Sequence, residues 1–226
     1  MAELPAADRF SDQQTDNPYW NENSWFSVSI PERGIHGLIQ HFFRPNMNLL
    51  NGGPGLGDRA GTFPWNCLYY NWRHLHAIPP GTGKVDGRAR KSLSVKVVEP
   101  LQRYKIDYAR DGFEMDLVWQ AIGPHHRMET GDPEQAKTAA FHIEQPGRMT
   151  GTIRRHGEEW AIDCWSMRDC SSGPYDTEKW PTGGYFWGIG DSGSFLTMCI
   201  GRKAQNATKG GFLMRDGKIA SLASGT

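Results

Sequence analysis

The stretch "FHIEQPGRMTGTIRRHGEEWAIDCWSMRDC", Phe141–Cys170, decides the fold. "RMTGTI" and "EWAIDCW" flank "RRHGEE", where His156-Gly157 suits a tight reversal, so the segment reads as a β-hairpin. On the first arm, alternation sets His142 and Glu144 on one face and Phe141 and Ile143 on the other. On the second arm it sends Trp165, Met167 and Asp169 to one side and Cys164, Ser166, Arg168 and Cys170 to the other. An acid therefore shares a face with Trp and Met, and Arg168 cannot join it unless a bulge intervenes.

The same period recurs outward from this hairpin. "WFSVSI" aligns Phe26, Val28 and Ile30, "SLSVKVV" aligns Leu93, Val95 and Val97, and "RYKIDY" aligns Tyr104, Ile106 and Tyr108. "GFEMDLVWQAI" sets Phe113, Met115, Leu117, Trp119 and Ala121 against Glu114, Asp116 and Gln120. "GGYFWGIG" and "SFLTMCI" form a pair about Asp191-Ser192-Gly193, and "GGFLMRDGKIASL" turns at Asp216-Gly217. The 27 Gly, 14 Pro and nine Trp among 226 residues suit a turn-rich sheet protein. Only "DPEQAKTAA", Asp132–Ala140, offers a turn or two of helix, as a link. The fold expected is all-β, with two packed barrels or sheets. Residues 1–18 read as a flexible N-terminal segment, 19–131 as a first domain and 138–226 as a second. Within the first, residues 44–87 form a long Gly-, Pro- and aromatic-rich segment, read as a lid over a cavity. Its aromatics Trp65, Tyr69, Tyr70 and Trp72 are candidate ligand contacts.

Bulk properties exclude several classes. Lys+Arg and Asp+Glu both count 25, so nucleic acid is not an expected partner. The four cysteines form no C-x-x-C pair, the first 18 residues hold no apolar leader, and no run of 18 apolar residues exists. The expectation is a cytoplasmic protein with reduced thiols and no membrane span. "PPGTGKVD" lacks the first Gly and the final hydroxyl of a phosphate loop, "GGPGLGD" lacks the third Gly of a dinucleotide turn, and "DSGSF" is no G-x-S-x-G elbow. His74 and His76, with His125 or His126, are a conceivable metal set, but no carboxylate spacing supports it and no metal is expected.

Two readings of Asp169 stay open on the residues alone. It either caps the "SSGP" turn that follows, or it is a desolvated acid whose raised pKa suits proton donation. Likewise His142 and Glu144 are solvated if the sheet is solid and face a ligand if it is hollow.

"HIEQPGRMTGTIRRHGEEWAIDCWSMRDCSSGPYD" resembles the hallmark segment of the carotenoid 1,2-hydratase (hydroxyneurosporene synthase)-like superfamily, and the resemblance extends over about residues 15–222. It implies two lipocalin-like barrels, a lipophilic substrate in an aromatic cavity, and no cofactor. Relatives of that kind hydrate isolated C=C bonds of isoprenoids or cyclise polyketide-derived chains. Ser172 and Tyr175 stand where the family has Trp and Arg, and Cys164-Trp165-Ser166 where it has Gly-Phe-Gly, which implies a changed pocket or lost catalysis. Members commonly run past the point where this chain stops. The second barrel is therefore expected to be open, truncated or covered by a partner, for instance in a homodimer.

The leading expectation is a cofactor-independent lyase or isomerase, of hydratase type, acting on an isoprenoid-, steroid- or polyketide-like molecule by protonating C=C. Asp169 is the first choice of acid and Glu144 the second, with Arg168 and His142 orienting acid or water. Trp165 and Trp187 would supply π faces to a cation, with Met167 and Tyr185 also lining the site. The alternatives are a lipocalin-like carrier of a hydrophobic ligand and a His-based metal hydrolase.

Overall fold

A computed structural model describes residues 5, 7–11, 15–61, 63–84, 92–128, 141–174, 183–202 and 205–222. The expected helical link at 132–140, the basic run at 87–91 and Tyr175 lie outside these residues. No α-helix occurs among them; apart from two 3-10 turns, Pro31–Arg33 and Pro45–Met47, every element is a strand. The all-β expectation holds.

The strands are β1 (Trp20–Ile30), β2 (Ile35–Arg44), β3 (Leu49–Gly57), β4 (Tyr69–Tyr70), β5 (Arg73–Ala77), β6 (Leu93–Glu99), β7 (Arg103–Arg110) and β8 (Phe113–Ala121). They continue as β9 (His126–Arg127), β10 (Phe141–Arg155), β11 (Glu158–Pro174), β12 (Gly183–Gly190), β13 (Gly193–Arg202), β14 (Gln205–Arg215) and β15 (Lys218–Ser221). One antiparallel sheet of eleven strands runs β4-β3-β2-β1-β11-β10-β8-β7-β6, with β5 also on β3 and β9 also on β10. A separate four-stranded sheet runs β12-β13-β14-β15. The units expected at 19–131 and 138–226 share the large sheet, since β10 and β11 lie between β8 and β1.

The turn chemistry follows the sequence. Asp111-Gly112, His156-Gly157 and Asp216-Gly217 all take positive φ at both positions, as two-residue primed turns require. The apolar residues singled out by alternation meet in one core. Phe26, Val28 and Ile30 pack with Leu93, Val95, Tyr104, Ile106, Tyr108, Phe113, Met115, Leu117 and Trp119. The sheet curls until its ends touch: the Tyr69 hydroxyl on β4 lies 2.6 Å from that of Tyr108 on β7, and the Tyr69 ring stacks on Phe113 at 3.9 Å.

Two local features shape β10 and β11. Pro146, which cannot donate to a ladder, sits where β10 changes partner. Ile143 and Glu144 pair with β9, whereas Gly147 onward pairs with β8. The Gln145 amide fills the gap, donating to the carbonyls of Leu101 and Gly123. The β1–β11 ladder stops at Phe26 and Arg168. There Ser27 Oγ accepts from the Met167 N–H at 2.8 Å, and Ser166 Oγ donates to the Ser27 carbonyl at 2.6 Å.

β11 is covered on both sides, so Ser166–Cys170 are buried without a break. Cys164 belongs to the large core. Met167 points the other way, into a second apolar layer with Met128, Leu196, Phe212 and Met214, against which Trp25, Trp187, Ile189 and Ile219 pack. That layer joins the large sheet to the small one. Within the N-terminal segment expected to trail free, Ala7 and Asp8 are drawn in. Asp8 is fully buried and ion-paired to Arg168 at 2.6 Å, while Glu22 on β1 is paired to buried Lys84 at 2.9 Å.

Candidate active site

Register brings three titratable groups together on the face of the large sheet that looks toward the second apolar layer. Glu144 on β10 lies directly opposite Asp169 on β11, and His142 is two residues along on the same face. The imidazole Nε2 is 2.7 Å from Asp169 Oδ2 and 3.2 Å from Glu144 Oε1. Asn23 on β1 donates to Asp169 Oδ1 at 2.7 Å, and Gln40 on β2 donates to Asn23 Oδ1 at 2.6 Å. The row Gln40–Asn23–Asp169–His142–Glu144 thus crosses four neighbouring strands. Glu144 and Asp169 are buried, while the His142 side chain keeps 12% of its surface exposed.

Burial dictates the charges. Desolvation works against an imidazolium at His142, but the nearby Asp169 and the hydrogen bonds that the ring donates to both acids outweigh it and lift the group to about 10. Glu144 is pushed well above the usual carboxylate range, first by burial and then by the negative charge of Asp169, with His142 opposing. Near neutral pH His142 is therefore an imidazolium, and burial favours the protonated form of Glu144 beside it. Glu144 Oε2 is buried and has no hydrogen-bond partner among the described residues. It is a polar atom left open.

The surroundings are apolar and aromatic. Trp25 lies beside Asp169 across the β1–β11 pairing, Met167 is two residues along β11 on the same face, and the Met128 N–H bonds the His142 carbonyl. Tyr185 on β12 meets the His142 ring edge-on, with centroids 6.4 Å apart. Such a site can keep an acid neutral and offer its proton inside a lipophilic enclosure. One histidine and two carboxylates, with donor atoms within 4.8 Å of one another, are also a set able to hold a divalent cation.

Of the residues singled out by sequence, His142, Glu144 and Asp169 come together, with Met167 and Tyr185 beside them. Trp187 packs on the same apolar layer. Arg168 does not join them: no bulge intervenes, so it points into the large core, bonds Asp8 and lies 4.4 Å from the Tyr104 ring centroid. Trp165 is half-buried beneath the Arg148 guanidinium, 4.8 Å from its centroid. Trp65, Tyr69, Tyr70 and Trp72 lie elsewhere, because their segment adds strands β4 and β5 to the edge of β3. Of the histidines weighed as metal ligands, His74 and His76 sit on β5, and His126 pairs across from Glu144 on β9 without entering the cluster. Asn23, Gln40, Trp25 and Met128 escaped the sequence reading; the one available signal was the Asn-Glu-Asn-Ser run that opens β1 beside Trp25. A surface groove of about 410 Å³ lined by Leu93, Asp107, Glu114, Asp116 and Arg154 includes none of the cluster.

Fold and site define an all-β protein carrying an acid–imidazole–acid cluster in the apolar layer between two antiparallel sheets. The chain belongs to the family described as a domain of unknown function, DUF7064, which matches residues 5–225. No curated protein matches the sequence. Among solved structures, a Nitrosomonas europaea protein provisionally named AttH superposes with a TM-score of 0.66 at 15% identity, over 98% of this chain and 75% of that one. CghA in complex with Sch210972 superposes with a TM-score of 0.56 at 16% identity, over 89% of this chain and 59% of CghA. CghA without that compound gives 0.51 at 13% identity, over 97% and 66%. The chain thus spans less than two thirds of the length of CghA. At these identities the likeness is one of fold.

Proposed function

We propose that the protein is a cofactor-independent lyase or isomerase, of hydratase type, acting on a lipophilic isoprenoid-, steroid- or polyketide-like molecule. The observation that carries this reading is Glu144: a buried carboxyl pushed well above the usual carboxylate range, with one oxygen that has no partner among the described residues, under an apolar aromatic layer. Its proton passes to an alkene carbon of the substrate, leaving a carbocation that the π faces of Trp25 and Tyr185 stabilise. Water adds to the cation and returns a proton to the Glu144 carboxylate, so acid and water balance over one turnover. Asp169 bonds and orients His142, while Asn23 and Gln40 fix the Asp169 carboxyl in turn. Asp169, the first choice on sequence, becomes the positioning group and Glu144 the acid. That CghA has been seen with a small molecule, Sch210972, supports a ligand-holding role for this fold without transferring the ligand.

The test is to purify the protein from its host, identify the bound lipophile by mass spectrometry, and incubate it with wild type and Glu144→Gln. Wild type should interconvert two species differing by one water, and the variant should bind the lipophile unchanged. Equal turnover by both would remove Glu144 as the acid. Stoichiometric zinc in place of a lipophile would move the reading to a metal centre. Ser172 and Tyr175, standing where the resembled family has Trp and Arg, favour a second reading, a carrier, which predicts a bound lipophile that neither protein alters.

A further inference from the structure

The β3–β5 edge of the large sheet presents apolar side chains to solvent in a way the interior does not require. In the loop between β3 and β4, Phe63 and Trp65 are 56% and 79% exposed and stack in parallel at 4.9 Å. That loop is held by the Asp58 carboxylate, which accepts from Ala60 and Gly61, and by Asn66, which accepts from the Phe63 N–H. Further along, Tyr70 and Trp72 stack on each other against Gly55, and exposed Leu38 pairs with Gly55 from β2. At the far end two residues of β5, His74 and Leu75, oppose the single residue Asn51 of β3, a bulge. Leu75 takes a φ of 58°, unfavourable for its side chain, and its N–H donates to Asn51 Oδ1. The result is a leucine 72% exposed. Leu75 thus joins Phe63, Trp65 and Tyr70 among the exposed large apolar groups of this segment.

Basic groups outnumber acidic ones along this edge, Arg59 and Arg73 against Asp58. Between Asp58 and Asp86 the chain carries no acidic residue, while Arg59, Arg73, His74 and His76 lie along it. Two acids of other elements pair elsewhere, Glu158 with Arg33 and Asp111 with Arg110. Tryptophan, tyrosine and leucine interleaved with arginine are the composition that seats at the headgroup level of a bilayer. We propose that this edge docks the protein on an anionic lipid surface, with Phe63, Trp65 and Leu75 entering the interface and Arg59 and Arg73 meeting lipid phosphates. Peripheral docking of this kind crosses no membrane. It stands independently of the acid cluster, so Glu144→Gln should dock like wild type.

Cosedimentation with vesicles tests it. Wild type should partition onto phosphatidylglycerol–phosphatidylcholine vesicles, less so in high salt, and weakly onto phosphatidylcholine alone. The double variant Trp65→Gln/Leu75→Gln should lose at least about tenfold of that partitioning with an unchanged melting profile. Arg59→Glu, which leaves the apolar groups intact, should weaken binding only to the anionic vesicles. Failure of wild type to partition, or partitioning equal to that of the double variant, overturns the proposal. So does a wild-type dimer that the double variant dissolves, which would assign the edge to a second copy of the chain.

Discussion

Glu144 and His142 are two positions apart in the chain and opposite in charge logic. Glutamine at 144 reproduces the neutral form, so Glu144→Gln should fold with near wild-type stability yet lose about 10²–10⁴-fold in turnover. Asp169→Asn is the contrasting case. It strands the His142 imidazolium without a counter-charge, and denaturant titration should show a loss of about 3–5 kcal/mol. Stability against pH follows from the same shifts. His142 is raised to about 10 in the fold from about 6.5 unfolded, so its contribution is complete below about 6.5 and disappears as pH rises through 10. Glu144, also raised, holds a proton that the unfolded chain has released, so it too removes stability as pH rises. Denaturation midpoints should therefore fall from neutral to alkaline pH, and less steeply in Glu144→Gln.

Strands β10 and β11 carry the molecule's main structural decisions. A Cβ on Gly147 would stand 2.3 Å from the Trp119 ring and 2.7 Å from the Gln120 carbonyl, so β8 and β10 can approach only with glycine there. Gly147→Ala should displace Trp119 from the core and lower stability by about 1–3 kcal/mol, read in thermal melts. Much of this region was legible in sequence. The hairpin at His156-Gly157, the shared face of His142 and Glu144, and the separation of Asp169 from Arg168 all follow from period-two alternation, which needs no tertiary information. The pairing of Glu144 with Asp169 was not legible, because it depends on register across the hairpin. Arg168 was misjudged as an orienting group: its partner Asp8 lies 160 residues away in a segment that reads as free. The aromatic-rich segment misled for a related reason, since nothing local shows that β4 and β5 pair onto the far edge of β3.

Across the whole molecule, buried charge pairs fix segments distant in sequence to the large sheet. Asp8 accepts from Arg168 and Tyr104, and Lys84 bonds Glu22 and the Ser171 carbonyl. Asp8→Asn should leave the buried guanidinium uncompensated and reduce stability by about 3–5 kcal/mol, visible as a lower denaturant midpoint with an unchanged slope. The two faces of the 141–174 hairpin have a further consequence for how such a gene can change. His142, Glu144 and Asp169 on one side and Ile143, Gln145 and Cys170 on the other are distinguished by parity alone. Adding or deleting one codon within one arm would exchange that arm's two sets alone, turning His142 and Glu144 away from Asp169, or Asp169 away from them. A pair of codons would restore them. Length variation in this hairpin among descendants of the gene should therefore come in steps of two, or gather at the His156-Gly157 tip.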